Sequence, residues 1–278
     1  MFKNFFFQIL LIFFITPNLF AQTQYFISSS EGNDKNDGLS DLSPWASLDR
    51  LNSEKLYPGD IVKFKRGDVF YGQLRIDESG LPEAYIQFTS YAEGDLPIID
   101  GSVGRLGSAL AAILIQDQDC IEINNLQIQN FRKDSRPNTS DLDAYGIWVK
   151  NTGKRNLKGF KFHNLLVEKI YPIKPRKSFN KTSVSGIRFE TFPAKFKHKA
   201  VNTSDIYLHN NIIRHTARFG ISLRHKPSAI KGITDTSLDY DNNVRIINNR
   251  CEDLGGSCVL MNGVWKGLLE KNLFIRSG

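Results

Sequence analysis

Five stretches of the chain repeat one pattern of strands, and this repeat constrains the fold more than any other feature. Each stretch opens with a short apolar strand, often preceded by glycine, and closes with a strand of the form apolar-x-apolar-x-Asn. The opening strands begin at Ile113, Ile147, Ile187, Ile221 and Val259, and the asparagines are Asn125, Asn164, Asn210, Asn248 and Asn272. Such a repeat indicates a solenoid of β-strands, in which each coil buries its apolar face against its neighbours.

The asparagine column predicts a structural corner. Asparagine tolerates left-handed backbone conformations and bonds to nearby backbone groups. Stacked at one corner of successive coils, the amides can also bond to one another along the axis. We therefore assign this column to the fold and not to catalysis.

The opening strands are spaced by 34, 40, 34 and 38 residues. Many solenoids need only about 20–29 residues per coil, so the excess must leave as loops. We expect these insertions at Lys133–Tyr145, Ile173–Ser185, Pro193–Ser204 and Lys226–Asn242. Insertions of this kind tend to lie on one face, which is often the binding face.

Residues 1–21 have the form of a secretory signal peptide. Lys3 supplies the positive charge, residues 5–14 are nearly all apolar, and Ala21 ends a cleavage site. The apolar run is too short for a comfortable membrane span, which takes about 20 residues. We expect cleavage, secretion to the periplasm, the cell surface or the medium, and no stable membrane insertion afterwards. Residues 22–278 then form a single domain.

The two ends of this domain differ. Ser43 is a plausible N-cap with Pro44 at the first helical position, which predicts a helix through about Lys55 that covers the N-terminal end of the solenoid. At the other end the sequence stops at Phe274–Gly278, and no capping element is visible there. We therefore expect the chain to be truncated, with further coils missing.

The three cysteines do not form a disulfide framework. Cys120 and Cys258 lie at strand positions, where a buried thiol is expected to pack as a small apolar group. A pair between Cys251 and Cys258, across one coil, is also possible on spacing.

The segment from Tyr25 to Gly101 resembles the N-terminal region of secreted bacterial β-helix proteins of the pectate-lyase-like superfamily. The resemblance rests on GNDKNDGLSDLSPWASL, LYPGDIVKFKRGDVFYGQL and PIIDG. The order PGD, strand, glycine and then PI-x-x-G is also similar to the alginate lyase and chondroitinase B family. The resemblance implies an all-β fold, a right-handed parallel β-helix with an N-terminal capping helix. It leaves the reaction open, because the fold carries lyases, hydrolases, epimerases and non-catalytic surface proteins.

Strand alternation predicts which side chains of the opening strands face outward. Ile147, Val149, Ile187, Phe189, Ile221 and Leu223 should face the core. Outward positions then form two columns: Leu114, Trp148, Arg188, Ser222 and Leu260, and Gln116, Lys150, Glu190, Arg224 and Asn262. These columns are a candidate groove for a charged sugar polymer, although outward charges on a solenoid are also typical of a solvated face.

A polysaccharide lyase is the leading hypothesis for this groove. It must neutralise a uronate carboxylate, which suits Arg188 or Arg224, and remove the neighbouring proton, which suits Lys150 or His225. Trp148 and Glu190 would bind substrate. Calcium stays open as a cofactor, although the calcium motif of the lyase family (Asn-Gly-Glu-Ser-Glu type) is absent and no metal site is predicted.

Two alternatives belong to other classes. A glycoside hydrolase needs two carboxylates flanking the bond, for which Glu190 would pair with Asp141, Asp143 or Asp253. A non-catalytic carbohydrate-binding or surface protein needs neither. The formal net charge of +7 favours an anionic partner such as an acidic polysaccharide. No nucleic-acid-binding motif is visible, and we expect a monomer.

Overall fold

Three parallel β-sheets run along the chain's long axis, and successive coils contribute one strand to each sheet. The computed structural model describes residues 22–174, 183–194, 200–226 and 240–277. The expected signal peptide and parts of three expected insertions lie outside these ranges. The first two strands pair directly within one sheet, and from the second strand onward strands that follow one another along the chain belong to different sheets. Each later neighbour within a sheet therefore comes from the next coil. The fold is the predicted right-handed parallel β-helix.

The eight-stranded sheet contains every strand that ends at the asparagine corner. Its strands are β1 (Gln24–Ile27), β2 (Ile61–Lys65), β5 (Ile86–Tyr91), β8 (Ile121–Asn124), β11 (Leu157–His163), β14 (Thr203–His209), β17 (Asp241–Ile247) and β20 (Val264–Glu270).

The six-stranded sheet contains the opening strands of the repeat. Its strands are β4 (Leu74–Ile76), β7 (Ala111–Gln116), β10 (Ala144–Asn151), β13 (Val184–Thr191), β16 (Phe219–His225) and β19 (Val259–Asn262).

The seven-stranded sheet supplies a third strand per coil, which the two-strand repeat did not include. Its strands are β3 (Val69–Tyr71), β6 (Ile98–Asp100), β9 (Gln127–Phe131), β12 (Leu166–Tyr171), β15 (Ile212–Thr216), β18 (Arg250–Leu254) and β21 (Leu273–Ser277).

The core is the space enclosed by the three sheets. All six side chains predicted to face inward from the six-stranded sheet are at most 1% exposed. Phe189 packs against Phe160 and Phe162 of the eight-stranded sheet, with ring centroids 5.3 and 5.7 Å apart. Stacked apolar rungs of this kind hold successive coils together.

Glycine recurs at the start of the opening strands because backbones approach closely there. An added Cβ at Gly146 would lie 2.5 Å from the carbonyl oxygen of Gly186, and one at Gly186 would lie 2.8 Å from that of Gly220. The Gly-Ile pattern therefore reflects the close stacking of successive coils at this position.

The asparagine corner is confirmed for four coils and shifted in the fifth. Asn125, Asn164, Asn210 and Asn248 have φ between 54° and 57°, and the amide of Asn248 donates to Asn210 Oδ1 at 2.7 Å. In the fifth coil Lys271 holds the left-handed position. Asn272 instead belongs to a neighbouring row of asparagine side chains from successive coils. Its Oδ1 accepts from the backbone and side-chain amides of Asn249 at 2.9 and 3.0 Å.

The predicted helix over residues 43–55 is wrong in position and length. The only helix among the described residues is α1 (Leu48–Leu51), whose N-cap is Ser47. Trp45 forms a parallel bridge with Ile27, and Asp34 accepts hydrogen bonds from the backbone amides of Ala46 and Ser47, so the chain is not helical before Ser47. Leu48 and Leu51 are buried against the core, while the capping role of this segment stays a prediction.

The buried thiol expected at Cys120 is confirmed, whereas the one expected at Cys258 is wrong, because Cys258 takes the alternative role of a disulfide partner. Cys251 and Cys258 form a disulfide with a Cα–Cα distance of 5.7 Å. Cys120 is a free thiol, and burial raises its pKa to about 11. Among the residues described, no helix is long and apolar enough to cross a membrane.

Candidate functional site

The outer face of the six-stranded sheet carries the two predicted columns in the predicted register. Trp148 pairs with Leu114 on one side and Arg188 on the other, while Lys150 pairs with Gln116 and Glu190. The columns continue through Ser222 and Arg224 to Leu260 and Asn262. On the other side, β4 adds Arg75 next to Leu114. Neighbouring positions of a column are about 4.8 Å apart.

Arg188 and Glu190 form a buried ion pair at the centre of this face. The guanidinium donates from Nε to Glu190 Oε2 at 3.2 Å and from Nη2 to Oε1 at 2.9 Å. Both residues are at most 6% exposed, and the Tyr145 ring lies 5.1 Å from the guanidinium carbon. Arg188 Nη1 is also buried, and it has no hydrogen-bond partner among the residues that the structure describes. This donor is one that a ligand or a water could satisfy.

The charges around Glu190 keep it ionised. Burial alone would raise the pKa of Glu190, but the positive charges of Arg188 and Lys226 outweigh burial and lower it below its ordinary value. Lys226 Nζ lies 3.4 Å from Glu190 Oε1. The carboxylate therefore accepts hydrogen bonds at neutral pH and does not donate a proton.

Aromatic rings and lysines surround the pair. Trp148 packs against Tyr145 with ring centroids 5.0 Å apart. Lys150 Nζ lies 4.9 Å from the Trp148 ring and 5.9 Å from the Phe192 ring, and Lys226 Nζ lies 4.3 Å from the Phe192 ring. We call Trp148, Lys150, Glu190, Phe192 and Lys226 the platform. Phe192 and Lys226 were not among the predicted site residues, because both lie just past the ends of their strands.

His225, the second candidate base, is buried where β16 ends. Its Nδ1 lies 3.1 Å from Asp241 Oδ1, and both side chains are fully buried. The same oxygen accepts from the Thr191 hydroxyl at 2.9 Å and from the Thr203 amide at 2.8 Å. These bonds connect the six-stranded and eight-stranded sheets. The catalytic roles of His225, Lys150, Arg188 and Arg224 stay predictions.

The carboxylates proposed as partners of Glu190 lie elsewhere. Asp143 precedes Ala144, whose partner is Val184, six positions before Glu190. Asp143 is thus seven positions along the strand direction from Glu190, and at about 3.3 Å per residue their Cα atoms are more than about 20 Å apart, beyond the spacing of a hydrolase pair. Asp141 pairs with Lys174, and Asp253 pairs with Arg276 on the seven-stranded sheet.

The four expected insertions all connect to strands of the six-stranded sheet. They lie between β9 and β10, β12 and β13, β13 and β14, and β16 and β17. Their described ends therefore adjoin the sheet that carries the platform, and a role of these insertions in binding stays a prediction.

A histidine pair lies on a different face. His163 and His209 of the eight-stranded sheet stack 4.7 Å apart, and Glu122 Oε1 lies 3.2 Å from His163 Nε2. Burial and the neighbouring His163 lower the pKa of His209. Within the ranges that the structure describes, no group of three or more His, Cys, Asp or Glu side chains is arranged to hold a metal ion.

The three sheets and their register define a parallel β-helix protein, and comparison with known proteins is consistent with that fold. No family model matches the chain. A protein of Bifidobacterium longum subsp. longum named lacto-N-biosidase is 31% identical over a match that covers 39% of this chain and 8% of that protein. The crystal structure of a GH136 lacto-N-biosidase from Eubacterium ramulus gives a TM-score of 0.71 at 22% identity, and covers 90% of this chain and 44% of that one. The chain thus spans less than half the length of either protein, and the superposition shows a common fold.

Proposed function

We propose that the protein binds a glycan on the platform and belongs to an enzyme that hydrolyses glycosidic bonds outside the cytoplasm. The similarity in sequence to a lacto-N-biosidase supports glycan hydrolysis. The disulfide between Cys251 and Cys258 supports an oxidising compartment, because disulfides are rare in the cytosol.

The observation that carries the proposal is the arrangement of rings and charges on the platform. Trp148 and Phe192 offer flat apolar faces, and Lys150 and Lys226 place ammonium groups within 6 Å of those rings. Sugars present apolar ring faces bordered by hydroxyl groups, which match this combination. The buried Arg188 holds Glu190 in place as an acceptor.

The same geometry supports a role in binding, rather than in bond cleavage, for the platform. Hydrolysis needs two carboxylates about 5–9.5 Å apart. Glu190 is already engaged by Arg188 and Lys226, and the three acidic residues considered as its partners lie far from it or are paired elsewhere.

A second candidate, β-elimination of an acidic polysaccharide, is favoured by the cations of this face. Lys150, Arg224 and Lys226 are at least partly exposed and lie around Glu190. They suit a uronate polymer better than a neutral one. Arg188 is the residue least suited to neutralise a uronate carboxylate, since its guanidinium group is already bound to Glu190.

The test combines product detection with binding. The protein is incubated with neutral oligosaccharides and with alginate, pectate and glycosaminoglycans, with and without calcium. New reducing ends without ultraviolet absorbance indicate hydrolysis, and absorbance from unsaturated ends indicates elimination and overturns the hydrolase proposal.

Affinity electrophoresis then locates the binding face. We expect Trp148→Ala to lose retention in glycan-containing gels, because it removes one aromatic face. Trp265→Ala is the matched control, since Trp265 is exposed on the eight-stranded sheet. If neither products nor retention appear for the unaltered protein, the glycan proposal fails.

A further inference from the structure

A concave site separate from the platform lies at the edge of the six-stranded sheet, where its first three strands begin. It is a cavity of about 450 Å³ formed by α1 and by the segments that lead into β4, β7 and β10. Its volume is within the range of small-ligand sites, about 300–1,000 Å³. Arg75, Arg105 and Arg136 line it together with Asp49, Asn52 and Gln73. We call it the arginine cavity.

The arginine cavity is strongly positive. Three guanidinium groups face one carboxylate, that of Asp49. Arg75 also pairs with Asp77 at 3.2 Å, where both side chains are about half exposed and the pair is weak. Among the residues described, no ion pair is formed by Arg105 or Arg136. These two guanidiniums are therefore available to an anion.

The walls of the cavity are held in place by hydrogen bonds between their segments, several of them to the buried Ser108. The Ser108 hydroxyl accepts from the backbone amides of Lys133 and Asp134 and donates to the Ser102 carbonyl, which joins the loops that carry Arg105 and Arg136. Gly107 permits the close approach: its φ is +101°, and an added Cβ would lie 2.4 Å from the Ser135 carbonyl oxygen.

The third wall is fixed in the same way. Asn52 accepts from the Arg75 amide at 2.9 Å and donates to the Gln73 carbonyl at 2.8 Å, which ties the end of α1 to β4. A site whose walls are already ordered loses less conformational entropy when a ligand binds.

We propose that the arginine cavity binds the carboxylate of a uronic-acid residue in an oligosaccharide. The planar fork of arginine matches a carboxylate in two parallel hydrogen bonds, and a sugar ring fits the volume of the cavity. This inference rests on the proposed glycan binding and names the substrate class.

The position of the cavity relative to the platform supports one continuous site. Arg75 lies in the same outward column as Trp148, two strand spacings away. This separation is about 10 Å, so an oligosaccharide held in the cavity reaches the platform within a few sugar units.

Titration calorimetry with a galacturonic-acid trisaccharide and its neutral galactose counterpart tests the proposal. We expect the protein to prefer the acidic sugar by about tenfold or more, and Arg105→Gln or Arg136→Gln each to weaken its binding by about tenfold. Arg245→Gln is the control, because Arg245 is exposed on the eight-stranded sheet and its loss changes the net charge equally. Thermal midpoints equal to that of the unaltered protein establish that the variants fold.

Two results overturn the proposal: equal affinity for both sugars, or affinities of the cavity variants equal to that of Arg245→Gln. Trp148→Ala separates this proposal from the platform. If Trp148→Ala weakens binding and the arginine variants do not, the cavity proposal fails and the platform stands. If only the arginine variants weaken binding, the cavity stands and the platform fails.

Discussion

At the scale of single residues, the Arg188–Glu190 pair shows how neighbours decide what an outward side chain does. The sequence places both residues on the outer face of one strand, which predicts a solvated or groove position. In the structure both are buried, because Tyr145 packs over the guanidinium and Lys226 approaches the carboxylate. The alternation of side chains along a strand predicts which face of the sheet a residue lies on. Whether that residue is buried depends on side chains from neighbouring coils, which the pattern of one strand does not contain.

Glu190→Gln should destabilise the fold by about 3–5 kcal/mol. Removing one partner leaves a buried guanidinium charge without compensation, which is the costly way to break such a pair. The free energy of unfolding is measured by urea titration at neutral pH. Glu270→Gln is the control, because Glu270 is exposed and, among the described residues, its one ion pair is with the exposed neighbour Lys271. A loss for Glu190→Gln no larger than for the control would show that the pair does not stabilise the fold.

The pH dependence of stability provides a separate prediction. The pKa of Glu190 is lower in the folded than in the unfolded protein, so its ionised form stabilises the fold above the unfolded value of about 4.3. This contribution is lost as the pH falls from there through the folded pKa. We expect stability to fall less steeply between pH 6 and 3 in Glu190→Gln than in the unaltered protein. Parallel curves for the two proteins would contradict this assignment.

At the scale of elements, glycine at the start of the opening strands allows successive coils to stack closely. Gly186→Ala should destabilise the protein by about 1–3 kcal/mol, since its Cβ meets the Gly220 carbonyl oxygen and Ile213 Cγ2, each at 2.8 Å. Gly267→Ala is the matched control: it is also a strand glycine, but its nearest contacts are Val264 and Met261 side-chain atoms at 3.2 and 3.4 Å. Chemical denaturation compares them, and equal losses would mean that coil spacing does not require glycine.

The elements also show what the sequence can and cannot predict. Alternation and the glycine column predict the opening strands and their register, because both patterns arise within one coil. The start of α1 was wrong, because it depends on Asp34, which is remote in sequence from the helix. Asn272 was assigned to the corner column, whose position in the last coil belongs to Lys271. The apolar-x-apolar-x-Asn pattern is lost there, because Gly267 lies opposite Val244 and Lys271 lies opposite Asn248. The arginine cavity had no linear signal, since its walls come from three coils.

At the scale of the whole molecule, the coils should differ in stability in a definite order. Strands β10 and β13 are paired on both sides and fully buried at Ile147 and Ile187. Strand β1 is paired on one side, but Trp45 and Leu51 pack into the adjoining core. The last described coil has Trp265, Leu273 and Phe274 about half exposed. Local opening should therefore cost least in the last coil and most in the centre.

Hydrogen exchange followed by mass spectrometry measures this order. We expect the slowest exchange in β10 and β13, faster exchange in β1 and β2, and the fastest in β20 and β21. Leu51→Ala should speed exchange in β1 and β2 alone, because a solenoid coil transmits its stability mainly to its neighbours. Equal protection of all coils would contradict the nearest-neighbour account. If Leu51→Ala leaves the first coil unchanged, the short helix does not cap the solenoid, and that end is stabilised by strand pairing.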